Sequence, residues 1–228
     1  MEDYSVFKRD SWSVLSLAKK RIALQNLEKN MAKKQHRDAK KIVVKLLEDN
    51  VWGRYKINAT PTSKVLQINK KYVTSKDDGV NYGLMATVIH EGRHAQQEGI
   101  IKGYATTDYP GDETIKLWII NSMVGDNSQG SSVQYHFQPL DNDAHNYAYE
   151  QMDLLLPQFE GEDDYRFYME GQKSRRDYLE TKALKFYEKY YQPKDYKQAI
   201  MEGILFADIS NLLIIKRTKK LINIKLKK

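Results

Sequence analysis

Cysteine is absent from the chain and histidine is scarce. With no cysteine and only five histidines in 228 residues, neither a disulfide framework nor a thiolate zinc site can form. Any bound metal must therefore be held by imidazole and carboxylate groups. The chain also has no apolar run of about 18 residues, and its first ten residues include acids with no apolar run behind them. We therefore expect neither a Sec signal peptide nor a transmembrane helix. The chain is predicted to be cytoplasmic, or delivered by a route that needs no N-terminal signal.

The composition is that of an ordinary globular protein. Hydrophobic residues make up 41% of the chain and charged residues 29%, which is too apolar for an intrinsically disordered chain. The length of 228 residues suits one domain with a sizeable core. We predict a single domain over 1–228, with a helical N-terminal segment (1–50), a sheet with metal-binding helices (51–157), and a helical C-terminal segment with a basic tail (158–228).

The net charge of +7 is unevenly distributed along the chain. The last 18 residues contain seven lysines and arginines and no acid, whereas residues 137–165 contain eight acids and no lysine or arginine. Basic ends of this kind would suit a non-catalytic protein that binds nucleic acid or an anionic membrane surface. Apolar residues such as Ile214 and Leu221 interleave with these cations, which is more typical of a solvated helix face. Nucleic acid is therefore not a favoured partner.

The spacing of apolar residues changes several times along the chain. Residues 11–49 have mostly helical spacings, which predicts two helices with a break near residues 34–37. From Trp52 to Val73 the pattern becomes β-like, which predicts a hairpin or a pair of strands. Helical periodicity then returns over residues 82–98. Further helices are predicted at 112–123, from Pro139 to Leu156, at 165–191 and at 195–217, with a polar loop at 125–132.

One segment of the 82–98 helix has the spacing of a zinc site. His90-Glu91-Gly92-Arg93-His94 fits the H-E-x-x-H pattern. Residues four apart project from the same face of a helix, so both imidazoles can bind one ion while Glu91 points at a metal-bound water. Zinc lowers the pKa of such a water to about 7, and the carboxylate can take its proton as a carbonyl is attacked. The pattern predicts His90 and His94 as ligands and Glu91 as the general base.

A catalytic zinc normally has three protein ligands, so a third is expected downstream. The segment from Gln138 to Ala148 resembles the E-x-x-A-D helix that provides the third ligand in gluzincin peptidases. It places Asp141 in the ligand position and Ala144 at the alanine. Asp143 and His145 are alternative ligands. Whichever of the two does not bind zinc would be a hydrogen-bond partner of a histidine ligand.

A second resemblance is to H-E-x-R-H-A-x-Q metallopeptidase domains at the ends of bacterial polymorphic toxins and effectors. The matching residues are His90 to Gln97 and Gln138 to Ala144. The resemblance implies an α+β, zincin-like fold, mostly helical around a small sheet, with zinc as cofactor. It also implies a protein or peptide substrate and a cognate immunity or inhibitor protein. The alternative activity is that of a zinc hydrolase acting on a non-peptide amide or ester.

Overall fold

The computed structural model describes residues 3–56, 64–104, 110–124 and 138–190. The chain forms two compact units, the first made of Met1–Gly99 and Asn146–Lys173, the second of Ile100–His145 and Ser174–Lys228. The described residues combine helices with one small sheet, which is the predicted α+β class. The polar loop predicted at 125–132, the helix predicted at 195–217 and the basic tail lie outside the described residues.

Two helices open the first unit. A short helix, α1 (Arg9–Ser13), is followed by α2 (Leu17–Lys34), whose first turn is capped by the Ser16 side chain. Helix α2 ends where the sequence predicts a break, and His36 follows with a φ of 49° that no helix allows. One face of α2 is buried at helical spacing, through Ala23, Leu24, Leu27, Met31 and Ala32.

The second helix predicted within residues 11–49 is wrong, because this segment contains strand β1 (Lys41–Lys45). Three consecutive β-branched residues, Ile42 to Val44, lose side-chain freedom in a helix and pack well on a sheet. The β-like prediction for Tyr72 and Val73 is also wrong, because both lie in a short helix, α3 (Lys70–Thr74). The Asn69 side chain caps that helix by accepting the Lys71 N–H.

Three strands in the described residues form one sheet in the order β1-β3-β2. Strand β3 (Val65–Asn69) is central, pairing in parallel with β1 and antiparallel with β2 (Gly53–Lys56). Ile42 and Tyr55 are the partners of Leu66 on its two sides. The β-like spacing from Trp52 to Val73 therefore contains two of the three strands.

Both outer strands have main-chain groups directed away from β3. The Asn69 N–H bonds to the Trp52 carbonyl, so the alternation of an antiparallel ladder turns the N–H and C=O of Tyr55 outward. On β1, the Gln25 amide donates to the Lys40 carbonyl and accepts the Ile42 N–H. One side chain of α2 thus pairs with that edge as a neighbouring strand would.

Helix α4 (Val80–Ile101) contains the H-E-x-x-H segment. Its apolar residues pack in the core of the first unit with parts of two later helices, α6 (Pro139–Leu155) and α7 (Asp163–Tyr190). The core residues contributed by these three helices are Tyr82, Leu84, Met85, Val88, Ile89, Ala148, Met152, Leu155, Tyr165 and Met169.

Within the second unit, helix α5 (Asp112–Val124) contacts the start of α6. Pro139 occupies the first position of α6, where a missing N–H costs nothing. The Asn121 side chain accepts the N–H of Leu140 and donates to the side chain of Gln138. Asn121 thus fixes the first turn of the helix that contains Asp141. No helix in the described ranges is long and apolar enough to cross a membrane.

Candidate metal centre

Helix α4 brings the two histidines of the motif together. His90 and His94 lie one turn apart, and their Nε2 atoms are 3.1 Å apart. Two nitrogens that bind one zinc tetrahedrally, each at about 2.0–2.1 Å, stand about 3.3 Å apart. The pair is therefore arranged to share an ion with little movement, as the four-residue spacing predicts.

Asp141, the carboxylate that the sequence predicts as the third ligand, lies in the second unit. It occupies the first turn of α6 and is 6% exposed. Asp143 and His145, the predicted alternatives, lie on the same helix. Two imidazoles and one carboxylate are a donor set that zinc accepts.

The Glu91 carboxylate is anchored to the edge of the sheet. Glu91 is 8% exposed, and its Oε2 accepts the outward-facing main-chain N–H of Tyr55 at 2.6 Å. This bond joins the residue between the two histidines to strand β2. It restricts the rotation of the carboxylate, which is the property needed in a positioned base.

Two glycines allow strand β2 to lie this close to α4. A Cβ on Gly53 would stand 2.6 Å from Thr87 Cγ2, and a Cβ on Gly83 would stand 2.5 Å from the Trp52 ring. Both distances are below any normal contact, so a larger residue at either position would force its neighbour to shift. The close approach lets the Tyr55 N–H reach Glu91.

The Tyr55 side chain makes a second contact with α4. Its phenol donates to Glu98, whose carboxylate also pairs with Lys64 at 2.8 Å. Burial, reinforced by the Glu98 carboxylate, raises the pKa of the Tyr55 phenol well above its usual range. Tyr55 therefore stays protonated and binds α4 through both its main chain and its side chain.

A buried ion pair lies behind Gly92, the residue after the base. Arg37 donates two hydrogen bonds to Glu28, at 2.6 and 3.0 Å, and both side chains are buried. A Cβ on Gly92 would lie 2.5 Å from Arg37 Nη2. The helix can pack on the guanidinium only because this position has no side chain.

Arg93 contacts one neighbouring helix directly and a second through one intermediate residue. Its guanidinium donates to Gln96 and lies over the Tyr147 ring of α6, 4.8 Å from the ring centre. Gln96 in turn donates to the Gln35 carbonyl. The contacts of Arg93 thus link α4 to α6 and to the end of α2.

The sequence did not predict the partner of His94. The Nδ1 atom of His94 lies 2.8 Å from Gln97 Oε1. The partner that the sequence predicts for a histidine ligand is Asp143 or His145, on another helix. The signal was nevertheless present, because residues three apart on a helix are neighbours and an amide can accept an imidazole N–H.

Comparisons of the chain with protein-family models, with curated proteins and with solved structures find no match. A function must therefore be argued from the geometry of the residues themselves.

Proposed function

We propose that this chain is a zinc-dependent metallopeptidase. The observation that carries the proposal is the arrangement on α4, where two imidazole nitrogens stand 3.1 Å apart and a buried glutamate lies between them in sequence. Asp141 would complete the ligand set of His90 and His94. The zincin-like fold and the likeness to toxin and effector peptidase domains belong to the same proposal.

When bound, zinc would polarise the scissile carbonyl and make a water molecule acidic enough to attack at neutral pH. Glu91 would take the proton of the attacking water and then deliver it to the leaving amine. The Tyr55 N–H would hold the Glu91 carboxylate in place for this proton exchange. Glu91 would thus mediate both proton transfers.

The presence of Glu91 favours a catalytic zinc site over a purely structural one. A structural zinc needs four filled ligand positions and has no use for a buried carboxylate beside its histidines. Burial of a carboxylate is unfavourable unless hydrogen bonds compensate it. The Tyr55 N–H provides such a bond, which is consistent with a base held ready.

The test is cleavage of a denatured protein by purified chain whose zinc content has been measured by elemental analysis. We expect zinc to be present in the unaltered chain and absent from His90→Ala. Removal of metal by a chelator should abolish cleavage, and added zinc should restore it. Glu91→Gln should keep the metal but lose about 100-fold or more in kcat.

Four outcomes would contradict the proposal or redirect it. Cleavage that survives both chelation and Glu91→Gln would sink it, as would a chain without metal. Hydrolysis of small esters or non-peptide amides without peptide cleavage would assign a different zinc hydrolase. Tight, salt-sensitive binding of nucleic acid in the absence of metal would favour a binding protein.

A further inference from the structure

Gln97 is placed to control the proton of a metal-binding histidine. It follows His94 by three residues on α4, and its side chain is 1% exposed. Its Oε1 lies 2.8 Å from His94 Nδ1, while His94 Nε2 faces His90 Nε2 on the other side of the ring. The two ring nitrogens thus have different partners.

The chemistry of the contact determines which nitrogen has the proton. An amide oxygen can only accept a hydrogen bond, so Nδ1 must be the donor. In a neutral imidazole the other nitrogen, Nε2, then has a free lone pair. That is the form in which Nε2 can bind a metal. The opposite tautomer would place the Nδ1 lone pair against the lone pairs of the amide oxygen, with no hydrogen bond between them.

We propose that Gln97 is a positioning residue for the zinc ligand His94, which it holds in the Nδ1–H tautomer and in a fixed ring orientation. The proposal rests on the zinc site proposed above but not on peptide hydrolysis. Outer partners of histidine ligands commonly change metal affinity or activity 10- to 100-fold. In this chain the partner comes from α4, the helix that contains both histidine ligands, so it is in place before any metal binds.

The adjacent residue provides a matched control. Gln96 is also fully buried, but its amide contacts Arg93 and the Gln35 carbonyl rather than either histidine. Gln96→Leu and Gln97→Leu remove the same chemical group from neighbouring positions of α4. Only Gln97→Leu removes the acceptor of His94.

The first measurement is zinc affinity, by competition with a chromophoric chelator. We expect Gln97→Leu to weaken zinc binding about 10- to 100-fold. Gln97→Glu keeps an acceptor and should bind zinc at least as tightly as the unaltered chain. Gln96→Leu should change zinc affinity by less than about threefold, well below the loss expected for Gln97→Leu. Equal losses in both leucine variants would assign the effect to helix packing and overturn the proposal.

The second measurement needs no metal. Nitrogen-15 NMR of the metal-free chain, at a pH where the ring is neutral, reports which nitrogen of His94 has the proton. We expect Nδ1–H in the unaltered chain and in Gln97→Glu, and a loss of this preference in Gln97→Leu. An Nε2–H tautomer in the unaltered chain would overturn the proposal, even if Gln97→Leu does not fold.

The two proposals fail in different ways. A chain that binds zinc with the expected dependence on Gln97 but cleaves no peptide would refute the peptidase and leave this inference intact. Normal peptide cleavage by the unaltered chain, together with unchanged zinc affinity in Gln97→Leu, would refute the role of Gln97 and leave the peptidase proposal intact. A chain that binds no zinc would overturn both.

Discussion

Gly92 lies where helix α4 meets a buried pair of charges. Arg37 and Glu28 are 6% and 0% exposed in their side chains, and Glu28 also accepts the Lys40 N–H at 2.7 Å. Two ions removed from water are tolerated only when each has its partners. The guanidinium under Gly92 therefore serves both as counter-ion of Glu28 and as a packing surface for α4.

We predict that Arg37→Met lowers the free energy of unfolding by about 3–5 kcal/mol, because it leaves the Glu28 carboxylate buried without its counter-ion. The measurement is urea unfolding followed by circular dichroism. Lys71→Met provides the control, because Lys71 and its partner Asp49 are mostly exposed and such pairs contribute little. Equal stability of both variants would refute the prediction.

Sequence spacing predicts only part of the site at this scale. His90, Glu91 and His94 could be assigned because one helix determines their relative positions. The Arg37 contact with Gly92 could not, because it joins residues far apart in the chain. The anchor of Glu91 could not either, because its donor is a main-chain N–H that every residue except proline possesses.

Strand β2 and helix α4 behave as one element of the site. Gly53, Gly83 and the Tyr55–Glu91 bond bring the strand and the helix together along successive turns of α4. The position of the Glu91 carboxylate therefore depends on a strand as well as on its own helix. A shift of β2 would move the donor away from Glu91.

We predict that Gly53→Ala destabilises the fold by about 1–3 kcal/mol, because its methyl group would overlap Thr87 and approach the Gln67 carbonyl to 3.0 Å. Gly171→Ala on α7 is the matched control. A Cβ there meets nothing within 4 Å, and alanine is favoured over glycine in a helix by up to about 1 kcal/mol. Unfolding by denaturant should show opposite signs for the two variants. A gain in stability for Gly53→Ala would contradict the close packing.

Element types were predictable where periodicity was long. Helices α2, α4 and α6 contain several turns of consistent spacing, and all three are present. The five residues of β1 are too few for helical and strand spacing to be told apart by apolar positions alone. The parallel pairing of β1 with β3 has no local signal, because it depends on contacts between distant segments.

At the scale of the molecule, the first unit contains three tyrosines whose phenols are harder to ionise than usual. Burial, with help from the Glu162 carboxylate, raises the pKa of Tyr82 to about 12. Burial also raises the pKa of Tyr165 and Tyr55 above their usual range. In each case the folded chain favours the neutral phenol.

We predict that stability falls as the pH rises above the ordinary tyrosine pKa of 10.0. Between that value and the raised pKa, the unfolded chain releases protons that the folded chain retains, so rising pH favours unfolding. Below the ordinary value the contribution is complete. Denaturant unfolding at pH values from 9 to about 12 would measure the decline, and Tyr82→Phe should make it shallower. A stability that does not change over this range would contradict the prediction.

Gln25 has a consequence for how copies of the chain behave toward each other. Free main-chain groups on an outer strand are a template on which a strand of another molecule can polymerise. Here the Gln25 amide bonds to the Lys40 carbonyl just before β1 and to the Ile42 N–H within it, and Glu91 accepts the Tyr55 N–H of β2. These two side chains thus block the pairing of a further strand with either outer strand of the described sheet, and such pairing is how fibres grow. Glu91, proposed as a base, would also protect the chain from self-association.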